Sequence, residues 1–537
     1  MRNPFNITLP VCKDPRKALF DIKQSRTWAR MLPLGNSGET ARQLFEAIRE
    51  VIHVDFPAGD RLVFLECCRM PVRQVCLALE KHYLDKPVPL PERTRKIADL
   101  AIEFHHGLAI GYIQVLSETL GHNPVPTLLN RKSVLRDLIR AVCHLNQAII
   151  KSYQTYVPVP ENAWWELHHL YLYAVRQNLH DRAMEEGLFY SEPVTVENLY
   201  KQILSVAVAD PASLTGRQIA ETFDFLKTTA SHARLQTHIH TSLKGEMVLG
   251  INLESDAPPF QVNRRDKDTL ATVSYFFNPV PLVELLQKDK NSEEPRPGLK
   301  TDLRNRLIRA WEGVQQRRHE RRPGRGRAEV VVGLSRLHRT LTAEIEAPSM
   351  DLSLRRRGPE MHSKRTTESE KKVTCPIIDE SQKGYRLLWF DDEDIQASVG
   401  MLVGVAQKLS GQSAKNWNVG VIRWVRTDRS GTAEMGVETL LTGAVPAEIA
   451  VLDAYGEMNS HMLQCLKVPS LPEIDQMASL VAPSLMAQTH QKLKLQYKEH
   501  GETVDEVVRM VRVTQKTRYF CCFEYQDDNL SLILDEE

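Results

Sequence analysis

Six arginines crowd the stretch QQRRHERRPGRGRAEVVV: Arg317, Arg318, Arg321, Arg322, Arg325 and Arg327. Further along stands DESQKG, which sets Asp379, Ser381 and Gly384 in D-x-S-x-x-G spacing. A guanidinium offers planar, paired N–H donors that match phosphate oxygens or the O6/N7 edge of guanine, and its flat face stacks on a base. Lysine does neither as well. A carboxylate such as Asp379 accepts from N–H groups, Ser381 adds a small hydroxyl, and Gly384 marks a point where the backbone turns or approaches a ligand closely. The chemistry is capture of an anionic, hydrogen-bonding ligand, not its turnover. The chain has no phosphate-binding P-loop, no G-x-S-x-G elbow and no G-x-G-x-x-G behind a strand, so an enzyme reading has no residue to stand on.

These side chains need a scaffold, and the elements around them differ along the chain. From about residue 36 the sequence reads helical: Ala41, Leu44, Phe45, Ile48, Val51 and Ile52 recur at three- and four-residue spacing behind the capping candidate Ser37. Pro71 and Pro91 stand where helices would start. The aromatic-dense segment with Trp164, Trp165, Leu167, Leu170, Tyr171 and Tyr173 suits stacked helical hairpins, although no strict repeat period can be laid over the region. Around Met247 to Val262 the texture turns β-branched and then breaks at Pro258-Pro259, which predicts a short β element. The run QKDKNSEEPRPGLK reads as an exposed connector, and the polar stretch from Arg355 to Lys372 as a loop too poor in apolar surface to order itself.

Short β-like segments surround the motifs: AEVVVGL, TCPIID, YRLLWF, VGMLVGVAQKL, NVGVIRWV, EMGVETLL and EIAVLDAY. They predict a small antiparallel barrel. The expected class is therefore multidomain α + β, a mainly α-helical N-terminal region followed by a C-terminal antiparallel β-barrel. Helical domains occupy 1–285 and a charged connector with the Arg cluster 286–327. The barrel occupies 328–455, with the polar inserted loop at 355–372. An α/β extension follows at 456–537.

Arginines spaced R-x-x-x-R ahead of a first strand, then D-x-S-x-x-G at a later strand, then the strand set NVGVIRWVRTD and EMGVETL, resemble the PilZ family of bacterial cyclic di-GMP receptors. The resemblance covers roughly residues 315 to 455. It implies a PilZ-like barrel and cyclic di-GMP as ligand, with Arg317, Arg318, Arg321, Arg322, Asp379, Ser381 and Gly384 as the binding residues. The arginine register stays open among Arg317/Arg321, Arg318/Arg322 and Arg321/Arg325. Arg321 and Asp379 stand further apart than the family usually places its two motifs, and the 355–372 loop accounts for the excess. That loop also brings Arg355, Arg356 and Arg357 into range of a ligand. The resemblance further implies an adaptor whose Arg linker is ordered by the ligand. Its output would be control of motility, pili or surface attachment through a protein partner held by the helical region.

The rest of the chain bounds these expectations. Of 537 residues, 42% are hydrophobic and 26% charged, which is a globular composition long enough for several domains. A net charge of +1 leaves any anion site to local clustering of Arg and Lys. The N-terminus MRNPFNITLP lacks an apolar leader and no stretch is long enough to span a bilayer, so a cytoplasmic protein is expected. Nine cysteines, without a C-x-x-C framework, read as reduced packing residues. His105/His106, His168/His169, His232, His238 and His240 have no zinc motif around them, so no metal is expected. Two other functions compete: a protein scaffold with a degenerate barrel that binds no ligand, and nucleic-acid binding by the Arg317–Arg327 run. The second is not expected, because that run holds no aromatic residue for base stacking.

Overall fold

The first long amphipathic pattern folds as the sequence predicts. Helix α2 (Ser37–Ile52), preceded by a short α1 (Ser25–Met31), buries Ala41, Leu44, Ala47, Ile48 and Val51 on one face. Its cap is Asn36, one residue ahead of the expected Ser37, with Oδ1 accepting from the Glu39 amide at 3.1 Å. Helices α3 (Ala58–Tyr83), α4 (Glu92–Leu120) and α5 (Arg131–Gln154) then pack in succession. Gly107 and Gly111 let α4 lie close to its neighbours: a Cβ at Gly107 would meet Ile48 Cγ2 at 2.8 Å, and one at Gly111 would meet Leu65 Cδ2 at 2.6 Å. Pro71, expected at a helix start, lies inside α3 instead, in a turn that forgoes one backbone hydrogen bond. Pro91 does immediately precede a helix.

The computed structural model describes residues 4–121, 123–238, 249–262, 266–290, 299–313, 320–324, 326–346, 372–389, 396–407, 417–484, 491–499 and 501–528. The chain divides into two units, one of Met1–Lys86 with Leu90–Arg317, the other of Pro87–Pro89 with Arg318–Glu537. No described helix is long and apolar enough to cross a membrane.

The first unit continues with α6 (Ala163–Arg176), α7 (Val196–Ala207) and α8 (Gly216–Thr229). A four-stranded sheet follows, ordered β1-β4-β2-β3, from β1 (Arg234–Gln236), β2 (Leu249–Ile251), β3 (Phe260–Gln261) and β4 (Tyr275–Asn278), with the five-residue α9 (Lys267–Ala271) between the last two. The predicted β interruption is thus part of a larger sheet. Two helices then occupy much of the expected connector: α10 (Val280–Lys290) and α11 (Thr301–Trp311). Helix α11 buries Leu303, Leu307, Ala310 and Trp311, and the Trp311 indole Nε1 donates to the Ser205 carbonyl of α7 at 3.0 Å. A connector does not bury a tryptophan; this stretch is a docked helix of the first unit.

In the second unit, β5 (Arg322–Pro323) and β6 (Arg327–Val332) run along the same edge of β7 (Val373–Ser381). Strands β8 (Gly384–Trp389), β9 (Leu402–Gln407), β10 (Trp417–Thr427) and β11 (Ala433–Thr442) complete the sheet. Its order is β6-β9-β10-β11-β8-β7, and β7 pairs with β6, so six antiparallel strands close into a barrel without edges. Helix α12 (Leu334–Glu346) comes after β6 and buries Leu337 and Leu341. Of the predicted 355–372 loop, only Lys372 lies among the described residues; its ammonium meets Glu344 at 2.7 Å.

The barrel ends sooner than 455, and the extension beyond it is not α/β. Strands β12 (Val445–Val451), β13 (Leu463–Val468), β14 (Ser479–Pro483), β15 (Lys492–Glu499), β16 (Glu502–Lys516) and β17 (Phe520–Asp527) close into a second barrel, ordered β12-β13-β14-β17-β16-β15. The segment EIAVLDAY, read as the last strand of the first barrel, opens this one. Where the α/β expectation calls for helix, the segment between β13 and β14 holds a single 3-10 turn, Pro472–Ile474. The reason is period two: Leu493, Leu495 and Tyr497 point inward between outward lysines and a glutamine. Both barrels share one apolar cluster, in which Leu337, Trp417 and Val419 meet Leu466, Val481 and Phe520.

Candidate functional site

The D-x-S-x-x-G motif is a β-hairpin. Strand β7 ends at Ser381, Gln382 and Lys383 make the turn, and β8 begins at Gly384, with Ser381 opposite Gly384 and Asp379 opposite Arg386. Cross-strand partners share a face, as do residues two apart. Asp379, Ser381, Gly384 and Arg386 therefore lie together on the outer face, while a bulge between Ile377 and Asp379 breaks the alternation and lets Ile377, opposite Leu387, turn into the core with it. Gly384 cannot be replaced without moving backbone, since a Cβ there would stand 2.3 Å from the Val437 carbonyl oxygen of β11. The Ser381 hydroxyl rests 3.4 Å from the Gly384 carbonyl.

The arginine segment is laid against this hairpin by β5, where Arg322 pairs with Glu380 and Pro323 with Asp379. Gly324 makes the close approach possible, because a Cβ there would meet the Ile377 carbonyl at 2.4 Å. One residue ahead of β5, the Arg321 guanidinium donates to the Asp379 carboxylate. Arg386 reaches the other oxygen of Asp379 at 3.7 Å and places its Nη2 2.7 Å from Glu434 of β11. That hydrogen bond to Glu434, outweighing the burial, raises the Arg386 guanidinium above its ordinary value.

Registered pairs continue the row across the barrel, Arg386 to Gly436 on β11 and Gly436 to Trp424 on β10. The Trp424 indole lies over Gly436, where a Cβ would stand 2.0 Å from Nε1, and the Arg426 guanidinium is 5.5 Å from the Trp424 ring centre. The outer face thus carries, in order, a guanidinium, a carboxylate, a second guanidinium and a flat aromatic. Below that row, Arg423 bonds Glu438, the strand partner of Gly384, and donates to Gln515 of the second barrel at 3.2 Å. Donors for phosphate, an acceptor for base N–H groups and a stacking surface are what a nucleotide with an anionic backbone requires.

Of the expected site residues, Arg321, Asp379, Ser381 and Gly384 are brought together. Arg322 is exposed on β5, its side chain leaving the strand opposite to that of Arg321. Arg317, Arg318, Arg325 and Arg355–Arg357 lie outside the described residues. Arg327 donates to the Thr374 carbonyl at 3.1 Å and so belongs to the β6–β7 seam. Arg386, Glu434, Gly436 and Trp424 were not foreseen. Arg386 was within reach, since two residues past Gly384 a strand returns to the same face.

The histidine pairs serve the helical core. His105 and His144 are buried with their Nδ1 atoms 3.1 Å apart, His106 bonds Glu166 at 3.0 Å, and His168 bonds Tyr200 and the Ala257 carbonyl. Among the described residues, no group of three or more His, Cys, Asp or Glu side chains is arranged to hold a metal ion. His240 lies outside them.

Comparison with known proteins covers nearly the whole chain. The family model described as the N-terminal domain of the cyclic-di-GMP receptor FimW matches residues 23–241. That for its middle PilZ domain matches 248–350 and 341–446, and that for its C-terminal beta-barrel domain matches 449–528. The cyclic-di-GMP receptor FimW of Pseudomonas aeruginosa is 28% identical over 563 residues, which span 94% of this chain and 90% of that protein. No solved structure matches the chain significantly.

Proposed function

Because the chain belongs to the family of PilZ-domain cyclic di-GMP receptors, we propose that it binds cyclic di-GMP on the outer face of the first barrel. Arg321 takes a ligand phosphate or the O6/N7 edge of guanine, and Asp379 accepts from guanine N–H groups. Ser381 and Gly384 shape the turn against which the base rests, and the Trp424 ring offers a stacking surface. Arg317 and Arg318 join from the segment ahead of Arg321, and the position of Arg321 on Asp379 favours a register that contains Arg321, Arg317/Arg321 or Arg321/Arg325, over Arg318/Arg322.

The observation that carries this reading is the meeting of Arg321 with Asp379 beside Ser381 and Gly384. Each of the two charges holds the other until the ligand supplies a phosphate for one and N–H donors for the other. Capture of the ligand orders the arginine segment, and a protein partner bound by the helical unit reads the change. The protein is then a cytoplasmic adaptor of the PilZ class, acting on motility, pili or surface attachment without catalysis.

Titration calorimetry with cyclic di-GMP, GTP and a short DNA duplex tests it. Binding of about micromolar affinity or tighter is expected for the cyclic dinucleotide alone, lost in Arg321→Ala and in Asp379→Ala. Binding of the duplex with steep salt dependence would point to nucleic acid instead. Silence with all three would leave a protein scaffold.

A further inference from the structure

We infer that Arg386 is a positioning residue that sets the preference of this site for guanine over adenine, by holding the Asp379 carboxylate in place once the ligand has drawn Arg321 away. The inference rests on the cyclic di-GMP reading above and goes beyond it in naming a residue outside both motifs.

Two guanidiniums face Asp379, and they are mounted differently. Arg321 precedes β5, a two-residue strand. Arg386 stands within β8, paired on one side with β7 and on the other with β11. Its head is gripped from the far side by Glu434 at 2.7 Å, and its Nε is buried. When a phosphate competes for Arg321, Arg386 therefore stays with the barrel.

Guanine presents two adjacent N–H donors at its pairing edge, and a carboxylate with both oxygens aimed outward accepts from them. Adenine offers at that edge one donor and one acceptor lone pair, which an ionised carboxylate repels. Discrimination thus depends on where the two oxygens of Asp379 point. With Arg321 gone to the ligand, Arg386 is the charged neighbour left to aim them. If Arg386 is removed, Asp379 either follows Arg321 or turns to water, and its acceptors no longer meet the base in a fixed direction.

The experiment is competition against a fluorescent cyclic di-GMP on the full chain, with unlabelled cyclic di-GMP and cyclic di-AMP as competitors. It is run for the unsubstituted protein and for Arg386→Ala, Arg386→Lys and Glu434→Gln. The unsubstituted protein is expected to prefer the guanine dinucleotide by about a hundredfold or more, since a carboxylate covered by the base rejects a mismatched edge strongly. Arg386→Ala lowers that ratio at least about tenfold, as expected for losing one charge-assisted contact. Arg386→Lys restores part of the ratio, and Glu434→Gln lowers it by a smaller factor. A ratio unchanged in the alanine and glutamine variants, with both affinities falling together or not at all, overturns the inference. Should the alanine variant fail to fold, the lysine and glutamine variants carry the same comparison. Failure of the unsubstituted protein to bind either dinucleotide overturns the receptor reading itself, and this inference with it.

Discussion

Arg321 and Asp379 stand 58 positions apart in the chain and meet as an ion pair beside the β7–β8 hairpin. The contact is made by the first arginine in the described part of the cluster and the first residue of the D-x-S-x-x-G motif. Neither is deeply buried, with side-chain exposures of 33% and 20%. A pair so placed contributes little to stability, about 0–1 kcal/mol, because water and salt screen it. In the proposed receptor its role is to hold the two groups where a ligand can exchange for both.

Substituting Arg321 by Lys separates charge from geometry. Lysine keeps the positive charge beside Asp379 but loses the planar fork that pairs with two oxygens or with a guanine edge. The expected result is a cyclic di-GMP affinity at least about tenfold weaker, with a thermal midpoint within about two degrees of the unsubstituted protein. Calorimetry and thermal denaturation measure the two. Undiminished affinity would remove Arg321 from the site.

Two glycines of this face differ in what opposes them, and so should their alanine variants. At Gly384 the obstacle is backbone, the Val437 carbonyl, so Gly384→Ala must part β8 from β11 and costs about 1–3 kcal/mol. At Gly436 the obstacle is the Trp424 side chain, which can swing outward. Gly436→Ala should shift the tryptophan emission to the red with a smaller loss of stability, and the shift should vanish in a Trp424→Phe background. Equal destabilisation of the two variants in urea would contradict the assignment.

What the sequence revealed of this site was its local part. The hairpin is written in six consecutive residues, and the arginine run abuts a β-branched strand, so both read directly from residue types. The contact between them is set by closure of the barrel, which no local pattern contains. Helices α11 and α12 carry a helical period, with Leu303, Leu307 and Trp311 in one and Leu337 and Leu341 in the other at four-residue spacing, but each adjoins a charged run and reads as part of the expected connector or of the approach to the expected loop. The second barrel was legible only as separate strands, because its closure pairs β12 with β15 and β14 with β17, which no local alternation such as that of KLKLQYKE contains.

Trp311 decides whether 301–313 is connector or core. Its ring is fully buried and its indole N–H is bonded to the Ser205 carbonyl. Trp311→Ala should destabilise the helical unit by about 3–5 kcal/mol, the range for removing a large buried aromatic. Chemical denaturation followed by far-ultraviolet circular dichroism reads it; a loss below about 1 kcal/mol would return the segment to a linker.

The cluster shared by the two barrels should couple their unfolding. Phe520 of β17 is fully buried in the same cluster as Leu337 and Trp417. Phe520→Ala should therefore weaken hydrogen-exchange protection in β6 and β9 of the first barrel as well as in β14 and β17 of the second. Loss confined to β14 and β17 would show that the barrels fold separately.

The helical unit carries its own dependence on pH. His168 uses both ring nitrogens, Nδ1 at 2.7 Å from the Tyr200 hydroxyl and Nε2 at 3.0 Å from the Ala257 carbonyl. The carbonyl can only accept, so Nε2 bears the hydrogen and Tyr200 donates to Nδ1, an arrangement that needs the neutral ring. Burial pushes the pKa of His168 down to about 4, and burial likewise holds His105 and His144 well below the ordinary value of 6.5. The unfolded chain takes up these protons near pH 6.5 while the folded one resists. Stability is therefore complete above that pH and falls as the pH drops towards 4, by about 3 kcal/mol for His168 over the whole interval, with His105 and His144 acting in the same direction. His168→Gln should be less stable at pH 7.5 but lose less on going to pH 4.5, as followed by urea denaturation at several pH values. An acid slope as steep in the glutamine variant as in the unsubstituted protein would mean that His168 is already protonated in the folded unit.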